Sequence, residues 1–195
     1  EIQGDGDYYG RTTDSASGSS FTGEDGSYWF GGQDQDALTD VVLVRTNTLR
    51  SINITGYTDL KLLSLWAEDV ASDGNRDWDT ADYVHVQYQI NGGSWSNLLW
   101  FEAVDAATNT NMVEDVNFDG SGDGRIVTDT FQEWTNAITG TGTGLVIRII
   151  SSVDAGDEDW AVDNIRITGT CSSTSSFVPG YSNRLAGSGA SLSVT

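Results

Sequence analysis

The segment that most limits the fold is residues 82–90, DYVHVQYQI, where Val84, Val86, Tyr88 and Ile90 alternate without a break with Tyr83, His85, Gln87 and Gln89. Period-two alternation separates an apolar from a polar face only in extended chain, so the segment predicts a strand buried on one side. Asn91-Gly92-Gly93-Ser94 follows with hairpin-turn residues, and residues 94–104, SWSNLLWFEAV, run back as its expected antiparallel partner. Further β-rich runs occupy residues 41–46, 51–55 (SINIT), 60–67 (LKLLSLWA), 145–153 (LVIRIISSV) and 160–168 (WAVDNIRIT). In residues 131–138, FQEWTNAI, the apolar spacings of three and four suit a helical turn, but the Gly/Thr-rich surroundings favour a strand. Roughly eight to ten short strands between Gly/Asp loops predict an all-β chain, a two-sheet antiparallel sandwich of jelly-roll type.

The acids agree with extended structure. The 195 residues include 22 Asp against 7 Glu, and Asp prefers turns, caps and oxygen-rich metal loops where Glu prefers helix surfaces. Nine Lys and Arg against 29 acids leave a formal net charge of −20. One lysine, Lys61, and eight scattered arginines give no basic footprint for phosphates, which excludes nucleic acid as a partner. No apolar run approaches the about 18 residues of a membrane-spanning helix. The lone Cys171 excludes an internal disulfide framework. The opening at Glu1 rather than Met fits a mature chain with its targeting segment removed, and so a secreted or cell-surface location. An Asp-rich, Lys-poor surface also suits salty water on its own.

Composition changes sharply near residue 168: all 29 acidic residues lie at or before Asp163, whereas residues 168–195 are Ser/Gly-rich, with Pro179 and a single charge at Arg184. The expected division is a jelly-roll sandwich over residues 1–169 and, over 170–195, a linker or the start or fragment of a second β domain.

Three acidic clusters are candidates for chemistry. Residues 68–82, EDVASDGNRDWDTAD, join two expected strands with six carboxylates and one base, Arg76, and residues 154–163, DAGDEDWAVD, join two more with five carboxylates and none. Crowded carboxylates repel unless a cation offsets them, and Ca²⁺ takes about six to eight such oxygens, so a shared calcium site is expected. Ordinary solvated turns with Asp in turn positions are the alternative. In the third cluster, Asp115, Asn117 and Asp119 stand at alternate positions before Gly120, with Asp123 beyond, as in the first half of an EF-hand-like loop. Position twelve is Ile126 where a bidentate Glu belongs, leaving Asp129 to close the site, or else a Gly-rich hairpin turn with no ion.

No nucleophile and base stand at catalytic spacing, and the one histidine, His85, falls mid-strand on the polar face. Seven tryptophans offer sugar stacking instead. Trp66 and Trp100, inside apolar strands, are expected in the core. Trp78, in an acidic loop, and Trp95, beside the hairpin turn, are expected to be exposed and to bind ligand.

The segments FTGEDGSYWFGGQDQD (21–36), ITGYTDLKLLSLWAED (54–69), DWDTADYVHVQYQINGGSWSNLLWFE (77–102), NFDGSGDG (117–124) and DAGDEDWAVDNIRITG (154–169) together resemble the jelly-roll, lectin-like modules of large secreted and surface proteins of Bacteroidetes, which often accompany type IX secretion. The DNIRI ending is similar to the last strand of MAM-type and carbohydrate-binding jelly rolls. The resemblance implies a non-catalytic accessory or adhesion module with structural calcium, with Glu68, Asp77, Asp79, Glu158, Asp159 and Asp163 at the ion-binding rim. The tail SSFVPGYSNRLAGSGASLSVT is similar to part of a fibronectin type III-like repeat. The expected function is a secreted binding or adhesion module for a glycan or another extracellular surface component. Two alternatives stand beside it: a structural subunit of a surface layer or filament that self-associates through its tail as an exchanged strand, and the ancillary domain of a secreted hydrolase.

Overall fold

The structure, a computed structural model, describes residues 7–38, 42–69, 77–104 and 109–171. They fold into two antiparallel sheets packed as a jelly-roll sandwich, with a single helical turn, α1 (Asp14–Ser17), among the described residues. The five-stranded sheet runs, in spatial order, β1 (Tyr8–Thr12), β2 (Trp29–Gln33), β11 (Asp159–Cys171), β5 (Tyr57–Ala67) and β9 (Gln132–Ala137). The second sheet runs β3 (Arg45–Thr48), β10 (Gly144–Ser152), β6 (Tyr83–Ile90), β7 (Ser96–Glu102) and β8 (Val113–Glu114), with β4 (Ile52–Asn53) also paired to β10.

The expected hairpin forms: β6 and β7 pair antiparallel from Tyr83 opposite Glu102 to Tyr88 opposite Ser96. Its turn has positive φ at both central residues, 52° at Asn91 and 71° at Gly92, and closes with Gly93 N donating to Ile90 O at 3.0 Å. That is the twist-matched geometry of a type I′ turn, which is why Asn-Gly stands there. Residues 131–138 contain strand β9, as expected, whereas the strand expected over 41–46 begins only at Arg45, and Val42 and Val44 are exposed ahead of it. β11 continues to Cys171, past the expected boundary. Residues 172–195 and residues 70–76 of the first acidic loop lie outside the described residues.

Alternation builds the core. Val84, Val86 and Tyr88 of β6, Leu145, Ile147 and Ile149 of β10, and Leu99 and Phe101 of β7 face Leu60, Leu62 and Trp66 of β5 and Trp160, Val162 and Ile167 of β11. A smaller cluster of Tyr8, Phe21, Trp29, Ala67, Phe131 and Ala161 lies on the other, outer face of the five-stranded sheet. Room for Trp29 comes from small neighbours: a Cβ on Gly31 would stand 2.9 Å from that ring and 2.0 Å from the Trp160 carbonyl oxygen. This cluster packs the β1–β2 end of the outer face, whereas toward β9 the same face is exposed at Lys61, Glu133 and Thr135.

Candidate functional site

The acidic loops do converge, through fewer residues than expected. Asp79, Asp82 and Glu158 each bring a carboxylate oxygen to within 4.8 Å of the other two. Asp82 closes the turn before β6, accepting Asp79 N–H at 2.6 Å, and Glu158 closes the turn before β11, its Oε2 accepting Asp154 and Ala155 N–H at 2.9 Å each. Both are buried, and Asp82 Oδ1 faces no N–H or hydroxyl donor, so the two carboxyls satisfy each other only by sharing a proton, Asp82 donating to Glu158. Burial, then the neighbouring Glu158 and Asp79 charges, push the Asp82 carboxyl up to about 9, against the pull of Asp79 N–H. Burial also raises Glu158, despite its N–H donors, and raises Asp154, with Asp79 and Asp36 adding to the shift. Nearby, Asp34 is pushed to about 6 by burial and by Asp36 and Asp7.

An all-carboxylate set whose buried members must share a proton, with no N–H or hydroxyl donor at Asp82 Oδ1, fits a hard cation such as Ca²⁺ or Mg²⁺, whose charge would remove the repulsion and replace that proton. Asp82 was not among the six rim acids that the resemblance implied. Of those six, Asp79 and Glu158 meet in the cluster and the other four are engaged elsewhere. Glu68 is buried and accepts Met112 N–H at 3.1 Å, and Asp77 accepts the Asn109 amide at 2.7 Å. Asp159 accepts Asp69 N–H and the Ser19 hydroxyl. Asp163 lies four residues further along β11, about 13 Å at a strand's rise, and accepts Asp25 and Asn164 N–H.

In the third cluster the oxygens turn onto their own loop. Buried Asp115 accepts the backbone N–H of Phe118, Asp119 and Gly120. Asp119 accepts Ser121 N–H, and Asp123 accepts Val116 N–H and the Asn117 amide. Among the described residues these side chains do not join a three-carboxylate cluster. Backbone donors do for Asp115 what an ion would do.

Two tryptophan placements need correcting. Trp78 is fully buried, at 0% exposure, because its backbone pairs in both directions with Thr110 and its ring enters the inter-sheet core beside Met112. Acidic neighbours made its loop look solvated, yet Asp77 and Asp79 point from the same bridge while the ring points in. Trp100, expected in the core, lies instead on the outer face opposite His85. A bulge opposite Val86 and Gln87 buries both Leu98 and Leu99, and period-two alternation from Leu99 then turns Trp100 out and Phe101 in.

The outer face of the six-stranded sheet therefore carries a row of rings. His85 stacks on Trp100 at 3.7 Å and 10° between planes, Tyr83 stacks on His85 at 4.4 Å, and Phe118 meets Trp100 edge-on at 5.4 Å. His85 Nε2 is held by Glu102 Oε1 at 2.5 Å. Beside the row, the Arg148 guanidinium lies 4.1 Å over Trp95, which is half-buried, and donates twice to Gln87 Oε1. Gln87 in turn donates to Asn97 Oδ1 at 2.9 Å, leaving the exposed Asn97 amide N–H₂ as the open donor of the chain. The signal for this face lay in the polar half of the 82–90 alternation, which fixes Tyr83, His85 and Gln87 on one side.

No protein-family model matches the sequence, and no curated protein matches it significantly. Among solved structures the chain is similar to the carbohydrate-binding module TmCBM61, solved in complex with beta-1,4-galactotriose, at 10% identity over 73% of this chain and 71% of that one, TM-score 0.39. It is similar to the K3 cleaved adhesin domain of Lys-gingipain from Porphyromonas gingivalis w83 at 13% identity over 86% and 92%, TM-score 0.40. It is also similar to a family 16 carbohydrate-binding module at 12% identity over 73% and 77%, TM-score 0.32.

Proposed function

We propose that this chain is a non-catalytic binding module of a secreted or surface protein, which takes a glycan on the outer face of its six-stranded sheet while a calcium ion at Asp79, Asp82 and Glu158 holds the loop rim. The observation that carries the reading is the ring row Tyr83–His85–Trp100–Phe118 running beside the Arg148–Gln87–Asn97 hydrogen-bonded chain. A sugar has an apolar C–H face and a rim of hydroxyls, so a binding face needs rings next to pre-oriented donors and acceptors. His85 supports the non-catalytic reading: it is stacked between two rings and bonded to Glu102, an arrangement that holds a ring in place. A field of −20 favours neutral or cationic glycans over acidic ones.

Trp95 stays in this proposal as the ring under Arg148, and Trp78 leaves it. Screening a glycan array with the wild type, Trp100→Ala and Trp95→Ala, with folding verified by melting, tests the reading. Binding of a neutral glycan lost at least tenfold in Trp100→Ala supports it. No binding to any neutral or cationic glycan, or binding unchanged in both variants, removes it and favours a structural subunit assembled through its tail.

A further inference from the structure

A second face holds a built cleft of about 410 Å³, within the roughly 300–1,000 Å³ of small-molecule sites. It lies where the end of β1 and the start of β2 meet the middle of β11, and is lined by Arg11, Tyr28 and Phe30 together with Asp25, Asp163 and Asn164. Its floor is irregular by construction. β11 slips register between Asp163 and Arg166, and Asn164 takes a left-handed φ of 47°, a bulge that re-aims the side chains around it. The loop before β2 is locked onto that bulge from both sides: Asp25 N donates to Asp163 Oδ2 at 2.7 Å, and Asn164 Nδ2 donates to Asp25 Oδ2 at 2.8 Å.

Arg11 is the unusual member. Its guanidinium lies 3.8 Å over the Tyr28 ring, as those of Arg125 and Arg148 lie over tryptophans, but whereas those two also donate to protein acceptors, the Arg11 side chain makes no hydrogen bond among the described residues, and Tyr28 is 50% exposed. The ring orders the guanidinium by cation–π attraction and leaves its N–H fork for another partner. The cleft thus offers preordered donors from Arg11, an acceptor in Asp25 Oδ1, and apolar wall from Phe30 and Ile165. Two carboxylates against one guanidinium, inside the overall negative field, disfavour an anion. Arg11 disfavours a cation.

We infer that this cleft is a second ligand site, for the end of a neutral saccharide chain, recognised by Arg11 and Asp25 through its hydroxyls and by Phe30 and Tyr28 through its C–H face. The location is independent of the ring row, and the inference rests on the proposed glycan binding only for the class of ligand. The test is amide chemical-shift mapping of the full chain with neutral gluco-, galacto-, manno- and xylo-trisaccharides beside the matching uronic acid trimers, to about 10 mM, above the millimolar range of weak sites.

The expected result is that a neutral trimer shifts the amides of residues 23–30 and 162–166, that its affinity falls at least tenfold in Arg11→Ala and in Tyr28→Ala, and that Trp100→Ala leaves these shifts in place. Shifts confined to the β6 and β7 amides would overturn the cleft while supporting the sheet face. Shifts at the cleft from uronic acid trimers alone, from no trimer at all, or unchanged in both cleft variants, would also overturn it.

Discussion

Asp82 concentrates the electrostatic problem of the molecule in one side chain. Its carboxyl is buried against Glu158 with no N–H or hydroxyl donor at Oδ1 and is pushed up to about 9, so without a cation it folds as a protonated acid that donates to Glu158. Asp82→Asn keeps the shape and removes the charge. In chelator at pH 8 this variant is expected to melt above the wild type, and calcium should no longer raise its melting temperature; melting below the wild type with the calcium response intact would show that Asp82 is a structural acceptor only. Which acid would occupy this place was not legible in the sequence. Asp79, Asp82, Asp159 and Asp163 are alike as letters, and only strand register puts Asp82 at the meeting point and Asp163 about 13 Å up β11. Gly31 makes a second residue-scale prediction. A Cβ there would meet the Trp160 carbonyl at 2.0 Å, backbone against backbone in mid-sheet, so Gly31→Ala is expected to cost about 3 kcal/mol or more in denaturant unfolding. An unchanged midpoint would contradict the close packing of β2 on β11.

At the scale of elements, the β6–β7 hairpin was fully legible, because eight residues of clean alternation and an Asn-Gly turn leave one solution. The bulge in β7 was not. Leu98-Leu99-Trp100-Phe101 reads as one apolar run, and a run carries no sign of which residue is skipped; the bulge decides that Trp100 faces out. Trp78 failed for a related reason, since a two-residue bridge to Thr110 is too short to leave a period in the sequence. Among the described residues the last core contact of β11 is Ile167, and the sequence beyond Cys171 holds no acid, many Ser and Gly, and few large apolar residues. Deleting residues 172–195 is therefore expected to leave the melting temperature nearly unchanged. A loss above about 2 kcal/mol, the burial of one large side chain, would show that Phe177, Val178 or Tyr181 packs on the sandwich.

For the whole molecule, pH and the proposed cation would act on the same loops. The raised carboxyl of Asp82 means that the folded protein without metal binds a proton more tightly than the unfolded chain does, whose Asp titrates near 3.8. Stability from that proton is complete below about pH 4 and is lost as the pH climbs toward 9, so the metal-free protein weakens across this window. The proposed cation would take the place of the proton, with an advantage that grows over the same range. Ionic strength must be matched in any comparison, because salt alone relieves a net charge of −20. The most direct measurement is thermal melting in millimolar Ca²⁺ against chelator, at matched ionic strength, at pH 5 and at pH 8. Binding at one hundred times Kd contributes about 2.7 kcal/mol, roughly 5–10 °C for a chain of this size, so a gap of that order is expected at pH 8 and a narrower one at pH 5. Superimposed curves at pH 8 would contradict the proposed cation site.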